Sequence, residues 1–227
     1  SVTVNGVAVD HTLATDGGIT TITADPGGLK GMVDVGLNWN GTSKSWSYFG
    51  HDALGDGPNP IGFWDFNQDI GNDTTIDNVY GLVGQLRNGA AFTDDSHEGT
   101  AMDMTGGGNQ HVHVSAGEFL NIASSVNTVS VAFWQKNYSI PSTSSFWAEP
   151  GRAMQAHVPW SDGQIYWDTA GCCGAGQRIN ADANDFGGWP EDSLDTWHHY
   201  VFVKNEDLKE IWIDGELLMD GENINPL

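Results

Sequence analysis

The segment that most constrains the fold is 197–218, which reads WHHYVFVKNEDLKEIWIDGELL. Aromatic and β-branched residues fill Trp197–Val203 and again Leu208–Ile213, as is typical of strands, and the polar run 205–207 separates them. Asp214-Gly215 is a strong signal for a tight hairpin turn. The segment therefore predicts a strand, a loop, a second strand, a hairpin and a third strand.

Alternate residues of a strand point to opposite faces of a sheet. In this segment one parity is mostly polar and the other is isoleucine: Glu210, Trp212, Asp214 and Glu216 against Ile211 and Ile213. The hairpin therefore has a polar and an apolar face, and the rest of the chain must supply a second sheet to cover the apolar one.

The composition of the chain extends this prediction to the whole fold. The sequence has 227 residues, 30 glycines and 10 tryptophans, and no long stretch with helical apolar periodicity. Such a chain is long enough to bury a core and favours short strands joined by many turns. We predict an all-β fold, a two-sheet antiparallel sandwich, with Thr128–Gln135 as a central strand.

Two regions are predicted along the chain. A Gly- and Pro-bearing segment at 50–60 follows the first strand-like stretches, as a boundary would. We predict a short N-terminal β-element at 1–56, or the tail of a preceding module, and a main domain at 57–227. The early strands are expected within Val2–Val9, Ile19–Ala24 and Met32–Trp39.

The charge of the chain excludes several function classes. There are 30 Asp and Glu against eight Lys and Arg, a formal net charge of -22, which repels nucleic acid and anionic membranes. No run approaches the roughly 20 apolar residues of a membrane span. We expect a secreted bacterial protein, extracellular or on the cell surface and with its signal peptide removed, that neither binds nucleic acid nor inserts into membranes.

Six short motifs occur in a defined order. They are FWDFNQ from Phe63, LRNGAAF from Leu86, AMDM from Ala101, TVSVAFWQK from Thr128, WHHYVFVKN from Trp197 and IWIDGELL from Ile211. In this order and spacing the chain, from about Ile61 to Leu218, resembles the LamG-like jelly-roll domains of the concanavalin A-like lectin and glucanase superfamily.

The resemblance implies a two-sheet antiparallel jelly roll that is non-catalytic, binds glycans or extracellular proteins in adhesion, and often holds a structural calcium ion. Family members continue beyond the hairpin into further strands, whereas this chain stops at Leu227. We expect the missing strands to be replaced by the N-terminal strands or by a neighbouring chain, as in a homo-oligomer, because an open sheet edge is prone to pairing.

Three acidic clusters are candidates for calcium, which prefers carboxylate and carbonyl oxygens. They are Asp69, Asn72, Asp73 and Asp77; then Asp94, Asp95 and Glu98; then Asp182, Asn184 and Asp185. The resemblance favours the first cluster. None has the spacing of an EF-hand, and the alternative is that each is a solvated loop, because Asp and Asn also favour turns.

His111 and His113 are two residues apart on a predicted strand, so their rings face the same side. This spacing can hold Zn²⁺ if a neighbouring strand supplies a third ligand. The alternative is that they form the polar face of a strand whose Val112 and Val114 enter the core.

The only cysteines, Cys172 and Cys173, are adjacent in the glycine-rich sequence AGCCGAG. Outside the cell they are expected to close on each other as a vicinal disulfide, for which the flanking glycines give backbone latitude. Inside the cell they would be two thiols.

Aromatic residues surround the cysteine pair. Aromatic rings stack on the apolar faces of sugars and Arg reads their hydroxyls, so we predict a glycan-binding platform at Trp160, Tyr166, Trp167 and Arg178. The alternative is that the aromatic residues fill the core. At least one of Tyr166 and Trp167 must do so, because adjacent strand residues face opposite sides.

Catalysis is not predicted. Glucanases of the superfamily use paired carboxylates on one strand, and the nearest candidates are Glu210, Asp214 and Glu216. The turn signal at 214–215 interrupts them, and no other known catalytic motif occurs. The alternatives to a binding module are a structural subunit of an extracellular assembly or filament and, with less support, a glycoside hydrolase.

Overall fold

A computed structural model describes residues 1–4, 7–9, 11–16, 19–24, 31–39, 42–50, 60–67, 70–115, 120–140, 142–185 and 194–227. Within these ranges the chain is mostly β, with antiparallel sheets and one α-helix of six residues. None of the described helices is long and apolar enough to cross a bilayer. Contacts divide the chain into two units, Ser1–Phe119 and Leu120–Leu227.

Six strands are described in the first part of the N-terminal unit: β1 (Val2–Val4), β2 (Val7–Ala8), β3 (His11–Asp16), β4 (Ile19–Ala24), β5 (Gly31–Trp39) and β6 (Thr42–Gly50). One antiparallel sheet has the order β2-β1-β5-β6, and β3 pairs with β4. The predicted boundary at 56/57 lies outside the described residues, so the division into 1–56 and 57–227 stays a prediction.

Among the described residues of the second part of this unit there are five strands: β7 (Thr74–Ile76), β8 (Val83–Arg87), β9 (Ala91–Thr93), β10 (Ala101–Asp103) and β11 (His111–Val114). A three-stranded sheet has the order β11-β8-β7, and β9 pairs with β10. Gly84 is required in the middle of β8, because a Cβ there would lie 2.7 Å from Cγ1 of Val112.

In the C-terminal unit the described ranges contain α1 (Asn121–Val126), eight strands and a short 3₁₀ helix (Ala183–Asp185). The strands are β12 (Thr128–Lys136), β13 (Phe146–Ala148), β14 (Met154–His157), β15 (Gln164–Thr169), β16 (Arg178–Asp182), β17 (Trp197–Asn205), β18 (Leu208–Ile213) and β19 (Glu216–Glu222). They form two four-stranded antiparallel sheets with the orders β12-β17-β18-β19 and β13-β14-β15-β16.

The prediction for segment 197–218 is confirmed. Strands β17 and β18 pair in antiparallel register, and a hairpin at Asp214 and Gly215 leads into β19. Both turn residues have positive φ, 50° and 85°, as a two-residue hairpin of type I′ requires. A β-bulge between Ile211 and Trp212 shifts the register of β19.

The apolar faces of these two sheets meet in an aromatic layer. The Phe202 ring of β17 lies 5.7 Å, centroid to centroid, from both Phe146 of β13 and Trp167 of β15. Ile211 and Ile213 of β18 are fully buried, as their parity predicts. Fully burying side chains of this size contributes about 1.5–3 kcal/mol each, so this layer stabilises the C-terminal unit.

Two lysines are buried at one end of this layer. Lys209 of β18 donates from Nζ to the carbonyls of Trp167 (2.7 Å) and Gln177 (3.0 Å), so it ties one sheet to the other. Lys204 donates to the carbonyls of Glu206 (2.7 Å) and Asn223 (3.0 Å). Burial lowers the pKa of Lys209 to about 7, although the negative charge of Asp168 opposes this shift.

The fold prediction is thus confirmed at its coarser level. The described strands are antiparallel and the one helix is short, as an all-β fold requires. The strands divide among several separate sheets, however, so a two-sheet jelly roll is not shown.

Candidate functional site

Period-two alternation separates the two aromatic residues of β15 that the sequence placed in one platform. Trp167 points into the core, is fully buried and donates from Nε1 to the Val203 carbonyl at 2.9 Å. Tyr166 points to the opposite face and is half-buried. The structure therefore brings Tyr166, but not Trp167, to the face that carries Arg178.

One residue from each strand of this sheet forms a row across its outer face. The cross-strand partners are Trp147 with Gln155, Gln155 with Asp168 and Asp168 with Arg178, and we call these four residues the polar row. Gln155 donates from Nε2 to Oδ2 of Asp168 at 2.7 Å. The row ends in an exposed indole on β13 and a guanidinium on β16.

Arg178 is held by Asp168 through two parallel hydrogen bonds, Nε to Oδ1 at 2.6 Å and Nη2 to Oδ2 at 2.7 Å. Asp168 is fully buried, and burial alone raises the pKa of its carboxyl. The hydrogen bonds from Arg178 and Gln155 outweigh burial and hold that pKa below its usual range. The carboxylate is therefore charged at neutral pH and fixes the plane of the guanidinium.

Tyr166 lies under this guanidinium, with Cζ of Arg178 4.0 Å from the ring centroid. Its hydroxyl donates to Oδ2 of Asp162 at 2.7 Å, which lowers the pKa of Asp162. The His157 ring lies between Tyr166 and Trp160, at centroid distances of 5.9 and 4.6 Å. Three of the four predicted glycan-binding residues are therefore linked by ring contacts on one face.

The Sγ atoms of Cys172 and Cys173 lie at disulfide distance from each other. Each sulfur accepts a hydrogen bond from a different arginine, Cys172 from Nη1 of Arg152 at 2.7 Å and Cys173 from Nη2 of Arg178 at 3.7 Å. Gly171 has a φ of 109°, and a Cβ there would meet Nε2 of Gln177 at 2.4 Å. Glycine is thus favoured at position 171, because other residues rarely adopt this backbone conformation.

Trp147 is not among the site residues predicted from the sequence, although it is the one aromatic residue of the polar row and is 52% exposed. The guanidinium of Arg152 lies 5.2 Å from the centroid of its ring, and its Nε1 donates to Glu149 at 2.9 Å. Alternation along β13 was the available signal, because it places Trp147 opposite the core residue Phe146.

The predicted calcium cluster is only partly described, because Asp69 lies outside the described residues. Asn72 and Asp73 are exposed, whereas Asp77 is 1% exposed and accepts hydrogen bonds from the amides of Phe63, Val79 and Tyr80. Asp77 therefore organises a turn. Within the described ranges no three His, Cys, Asp or Glu residues gather in a metal-holding arrangement.

The carboxylates considered for catalysis serve other contacts. Asp214 lies in the hairpin turn and accepts hydrogen bonds from Nδ1 of His198 at 2.6 Å and the amide of His199 at 2.8 Å. Glu210 accepts one from Nε1 of Trp212 at 2.9 Å, and Glu216 begins β19. The hairpin thus places the three residues on a turn and two different strands.

Comparison with known proteins adds no relative: no family model, no curated protein and no solved structure matches this chain. The LamG-like resemblance consequently depends on the sequence motifs alone. What the findings identify is a mostly-β protein with several antiparallel sheets and an adjacent cysteine pair at disulfide distance.

Proposed function

We propose that the chain is a non-catalytic, LamG-like module that works outside the cell and binds a glycan, or an extracellular protein, through the outer face of sheet β13-β14-β15-β16. The observation that supports this proposal is the polar row. It places an exposed indole and a fixed guanidinium on the same face as the half-buried Tyr166 ring.

A sugar ring offers an apolar face and an edge of hydroxyl groups, so its receptor needs a ring to stack on and directed polar groups beside it. Trp147 supplies the exposed ring. Asn180 and Gln164 already bond to each other, Nδ2 to Oε1 at 2.8 Å, which leaves the other polar atom of each amide for a ligand. Arg178 and Asp162 add a donor and an acceptor.

Preorganisation favours this face over an exposed loop. Asp168 and Gln155 are almost fully buried and hold Arg178 in one orientation, so little side-chain entropy remains to be lost on binding. The same buried network has no open carboxylate pair for general acid and base chemistry, which supports a binding role rather than hydrolysis.

The proposal includes a structural calcium ion in the first acidic loop, held by Asp69, Asn72 and Asp73. Asp77 would act beside it by organising the turn through its three backbone hydrogen bonds. These side chains offer the carboxylate and amide oxygens that Ca²⁺ prefers, and the strongly acidic chain attracts cations, so both features support this assignment.

A glycan array probed with the full chain, with and without a chelator, tests the function. Trp147→Ala and Arg178→Gln are expected to lower binding at least tenfold. Trp134→Ala is the matched control, since Trp134 is 45% exposed on the other sheet. The proposal is contradicted if Trp147→Ala and Arg178→Gln both bind as tightly as the wild type. It is also contradicted if the wild type binds no glycan on the array.

A structural subunit is the second candidate, favoured by a different surface. The outer face of sheet β12-β17-β18-β19 exposes Trp134 (45%), Leu208 (37%) and Leu217 (47%), and β19 is the last strand of this sheet. A neighbouring copy that covered these residues or extended the sheet would account for them. Analytical ultracentrifugation with Leu217→Glu tests it: an assembly that dissociates in the variant supports this candidate, and a monomer at all concentrations contradicts it.

A further inference from the structure

A second surface with unused polar groups lies on the N-terminal unit, on the three-stranded sheet β11-β8-β7. A groove of about 320 Å³ follows its exposed face. We call it the Arg87 groove, and it is lined by Thr74, Val83, Gln85, Arg87, His113 and Ser115.

The strand register explains why these residues share a face. His111 of β11 pairs with Arg87 of β8, His113 pairs with Gln85, and Gln85 pairs with Thr74 of β7. The intervening residues of β8, such as Leu86, point to the opposite, buried side. Three strands thus present their polar residues together.

The cation in this groove stands out in an acidic chain. Arg87 is the only Lys or Arg between Lys44 and Lys136, in a protein of formal net charge -22. It is exposed, and no described carboxylate forms an ion pair with it. The side chains of Gln85 and His113 likewise have no hydrogen bond to a described residue, so three groups in one groove keep their bonding capacity.

The same register indicates whether the surface around His111 and His113 favours a cation or an anion. His111 and His113 do share a face, with ring centroids 6.2 Å apart. The neighbouring strand places Arg87 and Gln85 opposite them, where a zinc site would need a third ligand. A guanidinium at that position repels a metal cation and attracts an anion.

We propose that the Arg87 groove binds an oxyanion group, a sulfate ester or a carboxylate carried by an acidic glycan. This proposal concerns other residues than the polar row and is independent of it. Arg87 has the planar fork of donors that matches such groups in two parallel hydrogen bonds. Gln85 and His113 lie beside it as further donors, and Val83, 49% exposed, offers an apolar edge.

Not every lining residue contributes a donor. The hydroxyl of Thr74 already donates to the carbonyl of Gly71, so it lines the groove without a proton to offer. Ser115 is exposed and has no hydrogen bond to a described residue, so its hydroxyl is open to a ligand. Recognition therefore depends mainly on Arg87, with Gln85 and His113 as secondary groups.

The test is calorimetric titration of the full chain with three probes of matched length: a sulfated oligosaccharide, an oligouronate and a neutral oligoglucoside. Binding of either anionic probe, but not of the neutral one, is expected. Arg87→Gln keeps a polar side chain but removes the charge and the paired donors of the guanidinium, and should weaken binding about tenfold or more. His113→Ala should weaken it by a smaller factor.

Lys136→Gln is the control, because it removes the same charge from β12 of the C-terminal unit, away from the polar row, and should leave anion binding unchanged. Loss with Arg87→Gln for one anionic probe only would identify which oxyanion the groove takes. Equal affinity of the wild type and Arg87→Gln, or no binding of either anionic probe, overturns the proposal. Loss of array binding in Trp147→Ala with anion binding intact would separate this groove from the polar row.

Discussion

Asp168 and Arg178 are partners across strands β15 and β16 and form two parallel hydrogen bonds, at 2.6 and 2.7 Å. The carboxylate is fully buried, while the guanidinium extends over Tyr166 at 4.0 Å. The pair thus connects a buried anchor to a group at the surface. Whatever binds this face meets an arginine whose orientation is already fixed.

Removal of Arg178 should be costly for folding, because it leaves the buried carboxylate of Asp168 without its cation. Arg178→Ala is expected to lower the free energy of unfolding by about 3–5 kcal/mol. Arg152→Ala is the control, since no described carboxylate is paired with that arginine, and about 1 kcal/mol or less is expected. Urea denaturation followed by tryptophan fluorescence measures both, and equal losses would contradict the assignment.

Lys209 predicts a pH dependence of stability. Burial lowers its pKa from 10.5 to about 7, so between these two values the unfolded chain holds a proton that the folded chain does not. Stability should therefore rise as pH increases from 7 towards 10.5, by roughly 2–5 kcal/mol from this group. The slope of unfolding free energy against pH should flatten in Lys209→Met and persist in Lys136→Met. Identical slopes in all three proteins would show that Lys209 does not titrate in this range.

The cysteine pair should stabilise the fold little, because it bridges neighbours in sequence. A disulfide acts largely by restricting the unfolded chain, and a separation of one residue restricts almost nothing. Replacing both cysteines by serine should change the unfolding free energy by about 1 kcal/mol or less, against the 2–4 kcal/mol typical of disulfides. A thiol assay on the unreduced protein should find no free thiol. A large destabilisation would contradict this expectation.

Asp77 and Asp73 should behave differently when each is replaced by alanine. Asp77→Ala leaves three backbone amides without their acceptor and should cost about 2–4 kcal/mol. Asp73→Ala should be nearly neutral in chelator, because this side chain is exposed. If calcium occupies the loop, the thermal midpoint of the wild type rises on adding it, and that rise disappears in Asp73→Ala. An unchanged midpoint in the wild type contradicts the calcium proposal.

Most of the correct sequence predictions rest on the alternation of polar and apolar residues within single strands. The hairpin at Asp214-Gly215, the buried parity of Ile211 and Ile213 and the strand Thr128–Lys136 follow from residues that are close in sequence. Such patterns assign a residue to a face but not to a partner. Alternation therefore predicts that Trp167 and Tyr166 point to opposite faces of the sheet. Which of the two fills the core depends on the position of the second sheet, which the local pattern does not give.

Pairing across long connections was beyond the sequence. The partnership of Asp168 with Arg178 depends on the register after the loop that carries the cysteines, and Trp147 joins their row only through two further strand pairings. Lys209 looks like a polar strand residue in the sequence. Its burial depends on hydrogen bonds to the carbonyls of Trp167 and Gln177, which are distant in sequence and could not be predicted from it.

The position of Lys209 also allows its chemical reactivity to report transient opening of the C-terminal unit. Its amine is enclosed between two sheets, and a large share of it is the nucleophilic free base near neutrality. An acylating reagent can reach it only while the sheets are parted. The rate of its acylation, followed by peptide mass spectrometry, therefore measures how often the sheets separate. Equilibrium thermal unfolding does not detect these transient openings.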